Sequence, residues 1–313
     1  MSVEEYNISL GTYINKTFRT TGTGLVFKEL FKYLYIIFNK LIAFLMKSSL
    51  FIAMTAFLLP YFSFLLYNIR ANVNLLIASS LCIFSIYSLN KLSDMKEDLI
   101  NNPERVGFIE KYKNIIIFAV IASFIASLLI SFLQNPFAII IMLFPFLMGI
   151  FYSIKVSNFR LKDIVGIKNF TVAVSWAVIG AFLPLAVYFS DFILISLIFY
   201  FFFIRVFLGS IASDVRDIEG DRASGVRTIP VVFGLNKTKI FLLLLNSTLL
   251  PWLAFSYFAG YFHGYFLVLV FFIIYGYWYI LHFCREGIKI GKTMDLFVDG
   301  EWIPTVILAL ILA

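Results

Sequence analysis

The stretch "SIYSLNKLSDMKEDL", residues 85–99, decides how this chain is read. Upstream of its polar end, "NLLIASSLCIFSIYSL" (74–89) is almost wholly apolar; Asn90, Asp94 and Asp98 then follow at four-residue intervals. Residues at i, i+4 and i+8 share one face of an α-helix, so the pattern sets three oxygen-bearing side chains in one stripe where an apolar helix ends. A second stretch, "SDVRDIEGD" (213–221), again follows a long apolar run. Asp214, Asp217 and Asp221 there fall at i, i+3 and i+7, and align if the helix continues to Gly220.

The rest of the chain places these stripes in a membrane protein. Of its 313 residues 61% are hydrophobic and only 14% charged, with mean hydropathy +0.94. A soluble domain would carry charge on about a quarter of its residues. A membrane helix needs about 20 mostly apolar residues, and nine runs qualify, near 48–68, 72–92, 114–133, 136–153, 164–189, 191–213, 238–258, 262–284 and 296–313. The last is short and carries acids at its start. The expected fold is therefore all-α: nine transmembrane helices in a bundle over 48–313, capped by cytosolic loops. Residues 1–47 form a polar N-terminus without a signal-peptide pattern, followed by an amphipathic helix, "FKELFKYLYIIFNKLIAFLMK" (27–47), suited to the cytosolic headgroups.

Basic residues set the orientation. All Lys and Arg except Arg70 and Arg205 lie before or at the first span or in alternate loops, at 91–113, 155–168, 216–239 and 285–292. By the positive-inside rule the N-terminus and long loops are cytosolic, and the C-terminus is outside if all nine spans form. The net charge of +7 then reflects orientation and anionic lipid, with no need for a nucleic-acid partner. Cys82 and Cys284 sit inside apolar runs and fit neither a disulfide framework nor a zinc site. His263 and His282 stand alone among aromatics.

Parity brings the stripes together. The first ends span two and the second ends span six, so both emerge on the cytosolic side. Five aspartates at one membrane face repel one another unless a cation joins them. Oxygen-only ligands select a hard ion, and Mg²⁺ typically takes one or two carboxylates plus substrate phosphates.

The motifs are specific. "NKLSDMKED" fits N-x₃-D-x₃-D, and "DVRDIEGDRASGVRTIPVVFG" (214–234) fits D-x₂-D-x-E-G-D-R-x₂-G-x-R-T-[IL]-P-V-x₂-G. Both resemble the UbiA superfamily of intramembrane aromatic and lipid prenyltransferases. "FYSIKVSNFRLKDIVGIKN" (151–169) resembles that family's Tyr-Ser…Arg-x-Lys segment, although Ile154-Lys155 stands where Pro-Pro is common, and the Arg-Pro that often precedes the first span is lacking.

The resemblance implies transfer of a polyprenyl group from its diphosphate, through an allylic carbocation, to an aromatic or lipid acceptor, as in quinone or ether-lipid biosynthesis. Asp94 and Asp98 would hold one Mg²⁺ and Asp217 and Asp221 a second, with Asn90 and Asp214 completing the shells. Arg105, Lys155, Arg160 and Lys162 would pair with diphosphate oxygens, and Tyr152 would stabilise the cation. Two other classes gather membrane aspartates. An ion-coupled transporter binds near the bilayer midplane, whereas these stripes lie at helix ends. A CDP-alcohol phosphotransferase needs D-G-x₂-A-R, and Asp299-Gly300 is followed by Glu-Trp.

Arg205 is the one basic residue in the middle of a span. Nine residues before Asp214, it lies about 13 Å deeper and about 180° around a continuous helix. It reads either as a cavity contact reached through a bend or as a hydrogen-bonding anchor to a neighbouring span.

Overall fold

In the computed structural model the apolar runs are helices. The structure describes residues 23–95, 99, 102–153, 155–156, 159–160, 164–223, 225–285 and 293–312, the side chains of 23–28, 150–153, 155–156 and 159–160 apart.

The chain divides into two units, Met1–Met46 and Lys47–Ala313. The described part of the first belongs to one helix, α1 (Thr23–Lys47), which exposes Phe31, Leu34, Tyr35, Phe38 and Leu41. The second contains α2 (Leu50–Leu66), α3 (Val73–Ser93), α4 (Pro103–Gln134), α5 (Pro136–Ser153), α6 (Ile167–Phe182) and α7 (Phe192–Arg216). Short helices α8 (Ile218–Ala223) and α9 (Ile229–Phe233) precede α10 (Leu235–Ser247), α11 (Leu249–Phe258) and α12 (Phe266–Phe283). The chain ends in α13 (Thr293–Val298) and α14 (Trp302–Leu312). A two-residue antiparallel pair, β1 (Lys155–Val156) with β2 (Phe159–Arg160), sets Lys155 opposite Arg160 after α5.

Among the described residues, six helical stretches are long and apolar enough to cross a bilayer: Val73–Ser93, Pro103–Gln134, Ile167–Ala186, Phe192–Arg216, Leu235–Phe258 and His263–Phe283. Three of the nine expected spans correspond to shorter apolar helices, the 17-residue α2, α5 with Pro145 in its interior, and the 11-residue α14. The last is cut short because Asp299, Gly300 and Glu301 form a 3₁₀ turn ahead of it.

Caps account for the boundaries. Asn72, Asn102 and Asp191 accept hydrogen bonds from the backbone N–H three residues on, at 3.2, 3.3 and 2.8 Å, opening α3, α4 and α7. Pro136 forces Asn135 to be extended, which separates α4 from α5.

In lipid the hydrophobic effect does not drive helices together, so close packing and interhelical hydrogen bonds do. Small hydroxyls reach the backbone of neighbouring helices: Ser79 to Ala56 O at 2.8 Å, Ser80 to Ala53 O at 2.7 Å, and Ser127 to Ala78 O at 2.7 Å. At Gly180 an added Cβ would lie 2.6 Å from the Phe202 ring, so this side chain of α7 packs directly on the α6 backbone. Phe62, Phe201, Phe272 and Trp302 join α2, α7, α12 and α14, with ring centroids 5.1–6.2 Å apart.

Candidate active site

The second acidic segment is built on the end of α7. Asp214 is buried, and α6 supplies its partners: Lys168 Nζ lies 2.9 Å from Oδ1 and Asn169 Nδ2 2.8 Å from Oδ2. Asn169 also bonds Ser210 Oγ at 3.0 Å, one turn back on α7. These contacts follow from the first turn of α6 packing beside the last turns of α7.

The continuous helix to Gly220 that the spacing invited does not form. α7 stops at Arg216, Asp217 takes the C-cap conformation (φ −96°, ψ 7°), and α8 starts afresh at Ile218. Asp217 is gripped by its neighbour, with Arg216 Nε and Nη2 each 2.8 Å from one carboxylate oxygen. Burial pushes the Asp217 carboxyl up, but the Arg216 hydrogen bonds and charge, followed by the charges of Lys168 and Arg105, outweigh it and hold the group below its ordinary value. Asp221 behaves oppositely. Burial pushes it up to about 6, the charges of Asp214 and Asp217 add to the effect, and Lys168 opposes it. The Thr228 hydroxyl lowers it slightly, yet Oδ2 is buried with no donor in hydrogen-bonding geometry among the described residues.

In the first segment the described helix stops within the stripe. α3 ends at Ser93, Asp94 occupies the C-cap (φ −97°, ψ 16°), and its N–H bonds Asn90 O at 2.9 Å. Ser93 Oγ donates to Asp94 Oδ1 at 3.1 Å, while Asn90 is exposed. Asp98 and Lys162 lie outside the described residues, as do the side chains of Tyr152, Lys155 and Arg160. Arg105 sits in the first turn of α4, and its charge helps to hold the Asp217 carboxyl down.

Sequence reasoning missed several participants. Lys168 and Asn169 close the third quoted stretch, and Arg216 stands inside the second motif between two predicted ligands. Asp295 of α13 was not singled out at all, yet it forms a salt bridge with Arg216 Nη1. Only the residue types in Arg216's own motif signalled it, since an arginine flanked by acids pairs with one of them.

Among the described residues no three His, Cys, Asp or Glu are grouped to hold a metal ion. The donor chemistry nevertheless suits a hard cation: carboxylate oxygens alone, one of them buried and unpartnered in Asp221, and two carboxylates now neutralised by Lys168 and Arg216.

Comparison with solved structures gives the same architecture. A UbiA homolog from Archaeoglobus fulgidus bound to DMAPP and Mg²⁺ superimposes with TM-score 0.62 at 18% identity, covering 86% of this chain and 99% of that one. A UbiA homolog from Aeropyrum pernix K1 gives 0.60 at 16%, covering 83% and 98%. A structure of digeranylgeranylglyceryl phosphate synthase gives 0.57 at 20%, covering 85% and 97%. At these identities the likeness is one of fold. No curated protein matches the sequence. The sequence profile of the UbiA prenyltransferase family matches residues 49–289, which include both acidic segments, Lys168, Asn169 and Arg216. On that match, over most of its length, the chain belongs to the UbiA prenyltransferase family.

Proposed function

We propose that this integral membrane prenyltransferase transfers a prenyl group from a prenyl diphosphate to a hydrophobic or amphipathic acceptor, with magnesium held between its two acidic segments. The observation that carries the reading is the acidic cluster at the end of α7, where Asp214 and Asp217, each neutralised by a basic partner, stand within the stretch matched to the family. The A. fulgidus homolog, bound to DMAPP or to GPP with Mg²⁺, supports the donor class.

Asp94 and Asp98 on one side, and Asp214, Asp217 and Asp221 on the other, would hold the metal, as two ions if each segment takes one. Asn90 orients the first set. Bound magnesium neutralises charge on the departing pyrophosphate. The chain's own residues do the rest. Arg105, Lys155, Arg160 and Lys162 pair with phosphate oxygens. The bond between the allylic carbon and the diphosphate oxygen breaks with its electrons leaving on pyrophosphate, and Tyr152 offers its ring face to the allylic cation. The acceptor then bonds to that carbon and releases its proton.

For topology, the reading is nine crossings, with the N-terminus and the acidic segments cytosolic and the C-terminus outside. The supporting observation is the charge pattern: the connections at 67–72, 135, 187–191 and 259–262 contain Arg70 and no other Lys or Arg.

The test is direct. The purified chain is given labelled dimethylallyl, geranyl and longer diphosphates with a panel of acceptors. The panel includes an aromatic acid and a prenylglyceryl phosphate, the latter chosen because of the matched synthase. Magnesium-dependent pyrophosphate release with prenylated product is expected. Asp94→Ala and Asp217→Ala should each abolish turnover in a folded protein, and near-normal activity in either sinks the shared site. Ion flux without pyrophosphate release would indicate a transporter, and CMP release a phosphotransferase.

A further inference from the structure

Arg216 is held by two carboxylates from different elements. Nε and Nη2 fork onto both oxygens of Asp217 at 2.8 Å, and Nη1 meets Oδ1 of Asp295 on α13. All three side chains are about three-quarters buried. Asp299 also acts on the guanidinium, although burial and the charge of Asp295 raise its own carboxyl to about 7. Asp295 and Asp299 lie beyond residues 49–289, outside the part of the chain matched to the family.

This arrangement poses an electrostatic problem for a metal ion at Asp217. A divalent cation arriving at Asp217 meets a guanidinium already bound to both of its oxygens. Like charges at that separation repel strongly where solvent is largely excluded, so the arginine must give up Asp217 before the carboxylate is free to ligate. An arginine released into a buried pocket without another anion would be left as an unpaired charge, which is costly. Asp295 is already in contact with the third guanidinium nitrogen, so Arg216 need not leave the pocket.

We propose that Arg216 is a transferable counter-ion and that Asp295 is the positioning residue that receives it. In the metal-free protein Arg216 neutralises Asp217. When a divalent cation takes Asp217, the guanidinium turns wholly onto Asp295. Asp295 thus acts on the metal through Arg216 and does not touch it. The inference rests on Asp217 being a metal ligand.

The test measures binding in the full-length detergent-solubilised chain, with Mn²⁺ as the probe, since it favours the same oxygen donors as Mg²⁺. Loss of the free-ion electron paramagnetic resonance signal reports affinity without turnover. Asp295→Asn should weaken Mn²⁺ binding about tenfold, and Asp295→Glu should restore it to within about threefold of wild type. Arg216→Gln should bind at least as tightly as wild type, because the competing cation is gone. In that background Asp295→Asn should change affinity less than about threefold, the non-additivity expected of residues acting as a unit.

Unchanged binding in Asp295→Asn overturns the inference, as does a tenfold loss that persists in the Arg216→Gln background, which would make Asp295 a ligand itself. If Asp295→Asn does not fold, Arg216→Gln still decides, since a tenfold loss there contradicts the counter-ion role. No saturable Mn²⁺ binding by wild type would remove the metal-site reading and this inference with it, whereas binding independent of residue 295 removes this inference alone.

Discussion

Arg205 and Glu301 are joined side chain to side chain inside the helical bundle, 96 residues apart in sequence and 0% and 4% exposed. Arg205 also donates to Asn246 Oδ1 at 3.2 Å and Phe272 O at 3.1 Å, and its guanidinium lies 5.0 and 5.5 Å from the Phe272 and Tyr279 ring centres. Of the two readings open for this midspan arginine, these contacts select the anchor between spans. It fastens α7 to α10, α12 and the turn that begins the C-terminal helix.

Arg205→Met should therefore lower stability by about 3–5 kcal/mol, because Glu301 is left buried without its partner. Replacing both, as Arg205→Met with Glu301→Leu, should recover much of the loss. Thermal unfolding in detergent measures this, alongside an apparent affinity for prenyl diphosphate that stays near wild type. Normal stability with much weaker diphosphate binding would instead place Arg205 in the substrate cavity.

Gly276 leaves room for that cluster. A Cβ there would lie 2.4 Å from both Arg205 Nη1 and Asn246 Oδ1, on a helix whose backbone has little freedom to retreat. Gly276→Ala should destabilise by about 1–3 kcal/mol through overpacking, against the usual helix-favouring effect of alanine. A variant that melts at or above the wild-type temperature would refute the close approach.

Hydropathy made the main spans legible, and the motifs located Asp94, Asp214, Asp217 and Asp221 at helix ends. Periodicity failed where the helices stop. It aligns residues only along an unbroken helix, whereas Asp94 and Asp217 each adopt a capping conformation that ends one. Glu301 was illegible for a different reason. An acid at the start of an apolar run reads as a defect in a span until its partner is known, and Arg205 reaches it only through tertiary packing. The same holds for Asp295, whose arginine lies 79 residues earlier.

Topology can be tested without reference to family. Single cysteines at 100, 158 and 224 should label with an impermeant maleimide from the cytosolic side, and one at 135 from the other side only. Labelling of 100 and 224 from opposite faces would separate the acidic segments by the bilayer and end the shared-site reading.

Asn169 offers the sharpest test of how the site is supported. Its amide donates to Asp214 Oδ2 at 2.8 Å in a buried setting. Asn169→Ala leaves one carboxylate oxygen without that donor, a loss of about 1–3 kcal/mol. Asn169→Asp should cost more, since it sets a second carboxylate against Asp214 where only Lys168 stands between them and full repulsion. Adding Asp214→Asn to Asn169→Asp exchanges donor and acceptor across the same contact, so thermal stability should return toward wild type. Prenyl transfer should not return with it if Asp214 serves the metal, because the carboxylate now projects from α6. Equal melting temperatures for wild type and Asn169→Asp would show that the two side chains do not meet. Recovered stability together with recovered turnover in the exchanged pair would show that Asp214 supports the fold and not the metal.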